Sequence, residues 1–186
     1  MEQFKIFGFA GSLRKDSYNK YLLRTAEVLL PENTGLEIYD LEGIPPFNQD
    51  LESQPPAEVK EFKIKIKAAD ALLIATPEYN YSMPGVLKNA IDWGSRPYGD
   101  NSFNDKAVGI MGVSIGTLGT ARAQYHLRQS CVFMNMHPLN KPEVMVGAAQ
   151  SKFDNSGNLI DTNTKDILKN MLAELVVWAK RLKQRQ

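Results

Sequence analysis

Short apolar runs alternate with stretches of helical periodicity along the whole chain, and that alternation narrows the fold more than any single motif. Residues 4–9 form the first run, which ends in a loop containing Gly8, Gly11 and Ser12. Tyr18, Tyr21, Leu22, Thr25, Ala26 and Leu29 then share one face at 3.6-residue spacing, and Pro31 stops that helix. Residues 36–41 read as a second strand. A surface excursion follows, marked by Pro45, Pro46, Pro55 and Pro56. Residues 57–69 read two ways: 62–67 alternates like a strand, while Val59, Phe62, Ile66 and Ala69 make a helical stripe. Their place between two strands favours the helix. Residues 71–75 are apolar on both faces, as in a central parallel strand. Further strands are predicted over 107–113 and 143–146. Further helices are predicted after Pro84, with Leu87, Ala90 and Ile91 inward, and over 120–133. The last helix is marked by Ile167/Leu168, Met171/Leu172, Leu175, Ala179 and Leu182.

Five strands alternating with five helices predict an α/β fold, a parallel sheet with helices on both faces. At roughly 100–200 residues per domain, the 186 residues predict one domain over 1–186. Lys and Arg total 22 against 21 Asp and Glu, so no strong field gathers nucleic acid or anionic lipid. The single cysteine, Cys131, excludes an internal disulfide, and with only two histidines a structural zinc site is not expected. No apolar run approaches the roughly 18–20 residues of a membrane span. The expectation is a soluble, cytoplasmic protein without a metal.

In such sheets ligands bind beyond the carboxyl ends of the strands, where the strand order reverses. The loop after the first strand carries Gly11, Ser12, Arg14, Ser17 and Asn19 and leads into a helix start. Glycines for close approach, hydroxyls, a fixed charge and unpaired helix N–H groups suit a phosphate. The plainer reading is that Ser17 and Asn19 cap the helix. The loop is neither a Walker A sequence nor a full Gly-x-Gly-x-x-Gly. Asp40, at the end of the second strand, keeps open a dinucleotide-binding dehydrogenase. Side-chain grip suits a terminal monophosphate better than a buried pyrophosphate. The loop after the third strand, around Pro77, Glu78, Tyr79 and Asn80, offers no nucleophile–base pair. Its fixed turn and tyrosines suit a planar heteroaromatic ring or, more plainly, fill surface grooves.

Together the two loops carry a resemblance. Gly11-Ser12-Leu13-Arg14, Ser17 and Asn19, then Pro77-Glu78-Tyr79-Asn80-Tyr81-Ser82-x-Pro84-Gly85 and Leu87-Lys88-Asn89-Ala90-Ile91-Asp92-Trp93, resemble the NADPH-dependent FMN reductase family. The likeness is greatest to its bacterial quinone and chromate reductases. It continues through Gly119, Arg122, Gln124-Tyr125-His126-Leu127-Arg128-Gln129 and Asn140-Lys141-Pro142-Glu143. It implies a flavodoxin-like three-layer sandwich, a five-stranded parallel sheet in order 2-1-3-4-5. It also implies ping-pong hydride transfer from NAD(P)H to FMN, then reduction of quinones and adventitious acceptors such as chromate, nitro or azo compounds. By the same resemblance Ser12, Arg14, Ser17 and Asn19 hold the FMN phosphate. Pro77, Glu78, Tyr79 and Asn80 border the isoalloxazine ring, and Ser114 meets its far edge. Arg122, Tyr125 and Glu143 lie at the contacts of a homodimer or homotetramer. Asp16 departs from the family's small residues, so its side chain is expected to face solvent. A non-enzymatic flavin electron carrier is the alternative; carriers are usually acidic, and the near-neutral charge favours the enzyme.

The remaining residues have plain readings. Cys131 reads as a buried, inert thiol. His126 and His137 have no acidic or thiol partner at ligand spacing. The lysines at 60, 63, 65 and 67 read as a solvated helix face, and Met134, Met136 and Met145 as core filler.

Overall fold

The computed structural model describes residues 3–184. Strands β1 (Phe4–Ala10), β2 (Thr34–Tyr39), β3 (Ala71–Ala75) and β4 (Ala107–Val113) run parallel in the order β2-β1-β3-β4. The fifth place is shared by β5 (His137–Pro138), beside Ala107 and Val108, and β6 (Val144–Val146), beside Met111, Gly112 and Val113. The order 2-1-3-4-5 is that of the expected flavodoxin-like sandwich, but the fifth strand comes in two pieces. Pro138 and Pro142 lack the N–H that a continuous ladder needs, which is why pairing lapses between them.

Helices α1 (Tyr18–Val28), α2 (Ala57–Ala68), α3 (Gly85–Ser95) and α4 (Ala121–Phe133) are followed by a single turn, α5 (Ala149–Lys152), and the long α6 (Thr162–Lys183). β3 shows why two cores form. Leu73 and Ala75 join Leu22, Leu23 and Ala26 of α1 and Leu168, Met171 and Leu175 of α6. Leu72 and Ile74 face the other way, onto Phe62 and Ile66 of α2, Leu87 and Ile91 of α3 and Leu127 of α4. A central strand with no polar face is buried on both sides. The proline-rich excursion is tied down by α3: Asn89 Nδ2 and Trp93 Nε1 both donate to Pro45 O, and Asn89 Oδ1 accepts from Phe47 N.

Several expectations change. β2 starts and ends two residues earlier than predicted, because Phe4 pairs with Thr34, and Leu41 is buried in the loop beyond it. Lys63 is no solvated residue. It is 6% exposed, since Val59, Phe62, Lys63 and Ile66 share the inward stripe of α2. Its amine donates to Arg96 O, Asp100 O and the Asp100 carboxylate, a satisfied set of partners for a buried cation. His137 Nε2 lies 3.2 Å from Asp105 Oδ1, a hydrogen-bond partner 32 positions away that no local spacing reports. Met145 is only half-buried, and Ile167 lies on the exposed flank of α6, where Val176 is buried instead. Cys131 is buried, and desolvation pushes its thiol up to about 12, so it is inert at neutral pH.

Hydrogen bonds from Lys63 and Lys67 hold the Asp100 carboxyl below the usual carboxylate range. A folded pKa lowered in this way gives stability above the unfolded value of about 3.9, lost as pH falls through the folded value. Asp100 is 46% exposed, so the effect at neutral pH is expected below about 1 kcal/mol. Asp100→Asn should lower Tm slightly at pH 7 and make the decline below about pH 4 shallower. Parallel Tm–pH profiles for the two proteins would remove Asp100 from acid unfolding.

Candidate functional site

The loops after β1, β3 and β4 meet because Ala10, Ala75 and Met111 lie side by side in the sheet. β2 and β3 flank β1 on opposite sides, so the strand order reverses here. Gly11 N donates to Ala75 O, joining the first two loops at their roots.

In the first loop Ser12 and Ser17 are buried, 6% and 4% exposed, while Leu13, Arg14, Lys15 and Asp16 face solvent. Ser17 occupies the N-cap of α1 with extended dihedrals, yet no side chain caps the helix. The first-turn N–H groups therefore look into the loop beside two buried hydroxyls, an arrangement that fits a phosphate. Asp16 is exposed, and its carboxylate accepts from the Tyr21 hydroxyl at 3.0 Å, which pushes the Tyr21 phenol up.

Asn19 has another task besides. It is buried, its Oδ1 accepts from Val113 N and its Nδ2 donates to Val113 O, both at 3.0 Å. The register of β3 with β4 puts Pro77 opposite Val113, and proline has no N–H to give. The Asn19 amide thus completes the edge of β4 where β3 ends.

In the second loop residues 79–82 form a tight turn. Tyr79 and Ser82 exchange both main-chain hydrogen bonds, at 3.0 and 2.9 Å. Asn80 (φ 49°) and Tyr81 (φ 62°) are both left-handed, the geometry that matches strand twist but strains a bulky tyrosine. The Glu78 side chain is 8% exposed and accepts from Arg122 N, Ala123 N and Arg122 Nε. A carboxylate on the first turn of α4 satisfies free N–H groups and matches the helix dipole. The Arg122 guanidinium lies 3.8 Å from the centre of the Tyr81 ring, and Ser82 Oγ is 2.9 Å from His126 Nδ1. α4 therefore grips the strained turn from below. Pro77 is half-buried, and Tyr79, Asn80 and Tyr81 are exposed above it.

In the third loop Ser114 Oγ donates to Gly119 O, which curls residues 114–119 on themselves. Gly119 has φ +62°, and a Cβ there would come within 2.8 Å of Met145 C, so only glycine fits. Ile115 and Leu118 are exposed at 67% and 59%. With Tyr79 they give the mouth an apolar rim that suits a flat ring.

The structure thus brings Ser12, Arg14, Ser17, Pro77, Glu78, Tyr79, Asn80 and Ser114 to one end of the sheet, with the side chains of Glu78 and Ser114 committed within the protein. Arg122, Tyr125 and Glu143 lie nearby. Within one chain Arg122 pairs with Glu78, and the Tyr125 hydroxyl donates to Glu143 at 3.2 Å. Sequence reasoning gave no role to Thr76, Thr120 or Gln124, all fully buried beneath the mouth, although Gln124 stands in the resemblance. Gln124 Nε2 donates to Thr120 Oγ1 and to Val144 O, joining α4 to β6. Their only sequence signal is a threonine and a glutamine four apart at a helix start. Asp40 does not offer a free carboxylate, because it accepts from Lys20 Nζ and Glu42 N.

The sequence pattern of the NADPH-dependent FMN reductases matches residues 4–151. The chain belongs to that family. It is an oxidoreductase, with FMN as cofactor and NAD(P)H as co-substrate. Within the NADPH-dependent FMN reductases it is 50% identical over 184 residues to the NAD(P)H-dependent FMN reductase PA1204 of Pseudomonas aeruginosa, covering 98% of each chain. It is 41% identical to a 2-hydroxy-1,4-benzoquinone reductase of a Burkholderia species, covering 95% of this chain and 96% of that one. Among solved structures it is similar to FerB, a flavoenzyme NAD(P)H:(acceptor) oxidoreductase of Paracoccus denitrificans. That match has a TM-score of 0.88 and 32% identity, covering 96% and 98% of the two chains. Among the described residues no helix is long and apolar enough to cross a membrane, and no group of His, Cys, Asp and Glu could hold a metal ion.

Proposed function

We propose that the chain, one domain over residues 1–186, is a cytoplasmic FMN-dependent NAD(P)H:quinone oxidoreductase. It works in ping-pong order, with chromate, nitro and azo compounds as adventitious acceptors. The observation that carries this reading is the uncapped start of α1, with Ser12 and Ser17 buried beside it at the mouth of the three loops. Ser12, Arg14, Ser17 and the free N–H groups of α1 would hold the FMN phosphate. Asn19 would set the depth of that cradle through its grip on Val113. Pro77, Glu78, Tyr79 and Asn80 would border the isoalloxazine ring from one side, and the loop from Ser114 from the other. Bound flavin supplies the hydride and electron-transfer chemistry. The chain's part is to bind, to orient and to direct main-chain N–H groups of the loops 78–80 and 114–116 at developing negative charge. These are the N–H groups of Asn80, Ile115 and Gly116, since those of Tyr79 and Ser114 already donate to Ser82 O and Val146 O. Glu78 is committed to α4, so no carboxylate in the second loop is free to move a proton. Assembly as a homodimer or homotetramer through Arg122, Tyr125 and Glu143 belongs to the same reading. The exposed Tyr81, Leu118 and Tyr125 beside them support it.

The test is anaerobic mixing of the FMN-loaded protein with NADPH and then benzoquinone, followed by the flavin's visible band. Bleaching by the first and recovery with the second is the expected result. A flavin that binds but is bleached by neither NADPH nor NADH would make the protein an electron carrier. Arg14→Ala should raise the Kd for FMN by about ten- to a hundredfold, the scale of one charge-assisted phosphate contact. Arg14 is exposed, so the Tm of the FMN-free protein should not move. An unchanged Kd would take the phosphate away from this loop.

A further inference from the structure

The second and third loops are both fastened to the start of α4. The second reaches it through the Glu78 carboxylate, which accepts from Arg122 N and Ala123 N at 3.0 and 3.2 Å. The third runs directly into it through Gly119 and Thr120. That third loop has another support as well. Ser114 N donates to Val146 O at 2.9 Å, Ala148 N to Gly116 O at 3.1 Å and Ala149 N to Ser114 O at 3.1 Å. Residues 114–119 therefore hang between α4 on one side and the end of β6 with the residues after it on the other. The separation of these supports fixes where the loop lies.

Gln124 spans that separation. It is fully buried one turn into α4, and its Nε2 donates to Val144 O of β6 at 2.9 Å and to Thr120 Oγ1 of its own helix end at 3.1 Å. Among the described residues no donor meets its Oε1. Both of its hydrogen bonds are thus donations, one across the gap and one back along the helix. A thioether of the same length would fill the space without burying an unmatched carbonyl, so stability alone does not call for an amide here. What an apolar side chain could not do is hold α4 at one distance and one angle from β6, because hydrogen bonds have direction and apolar burial has none. Thr120 seats the same helix end on the sheet: its Oγ1 lies over Gly112, 2.0 Å from where a Cβ would stand.

We propose that Gln124 is a positioning residue for the flavin. By tying α4 to β6 it aims the N–H groups of Asn80, Ile115 and Gly116, and so sets how much more tightly the mouth holds reduced than oxidised FMN. The inference rests on the reading that FMN lies at this mouth. Gln124→Met keeps the length of the side chain and removes its donors. The midpoint potential of bound FMN, the Kd for oxidised FMN and the Tm of the FMN-free protein are then compared with wild type. The preference for reduced FMN should fall about tenfold, a drop of about 30 mV for a two-electron couple. The Kd for oxidised FMN should move less than about twofold. A residue that merely held the fold together would move Tm and leave the potential alone. Thr120→Val keeps the shape beside Gly112 and removes one acceptor only, so the preference should fall in the same direction by about threefold. If Gln124→Met does not fold, Thr120→Val decides by itself. An unmoved potential, whether FMN binds as before or both of its forms weaken alike, overturns the proposal and leaves the reading of the mouth standing. A wild-type protein that takes up no FMN overturns both.

Discussion

Asn19→Ala is expected to lower stability by about 2–4 kcal/mol, because it leaves Val113 N–H and C=O buried without partners. For a chain of this length that is a fall in Tm of roughly 5–15 °C. The size follows from the geometry: β3 gives way to Pro77, and among the described residues only the Asn19 side chain meets both groups. FMN binding should weaken as well, since the same residue fixes the start of α1 against β4. The order of effects separates two roles. If Asn19 only touched phosphate, Asn19→Ala would behave like Arg14→Ala and leave the FMN-free protein as stable as before. Thermal melts of both variants without FMN decide between them, and an unchanged Tm for Asn19→Ala would refute the structural role.

Gly112→Ala should be harsher still. A Cβ at Gly112 would lie 2.0 Å from Thr120 Oγ1 and 2.3 Å from Thr76 O. The Thr120 side chain has Gln124 behind it, and Thr76 O is main chain, so neither yields easily. Overpacking typically costs about 1–3 kcal/mol and occasionally more. Contacts this short put Gly112→Ala at the upper end of that range or above it. The strain falls at the roots of the loops after β3 and β4. Any protein recovered should therefore be depleted in FMN as well as less stable, as the flavin-to-protein absorbance ratio and a thermal melt would report. A variant with wild-type Tm and flavin content would show that the strand shifts freely here.

What could be read in advance follows the range of the interaction. β3 and β4 were legible to the residue, because an unbroken apolar run between polar turns has one simple reading. The inward place of Lys63 was legible too, at i+4 from Val59, had the stripe been counted before the charge was weighed. The partners of Asn19 and Glu78 were not. Val113 lies 94 positions from Asn19, and Arg122 lies 44 from Glu78. No local pattern reports such pairings. The first-loop residues were found because glycines, hydroxyls and a helix start are all local features. The division of labour among them needed three dimensions.

The left-handed turn of Asn80 and Tyr81 carries a last consequence. Its shape is held within the chain, by contacts of Glu78, Tyr81 and Ser82 with Arg122, Ala123 and His126 of α4. The strain of that turn is therefore met once, when the chain folds, and little ordering is left to oppose association. A rim finished in advance judges a visitor by flatness and size more than by its chemical groups. The breadth toward acceptors proposed above would then follow from rigidity, with no need for a pliable pocket.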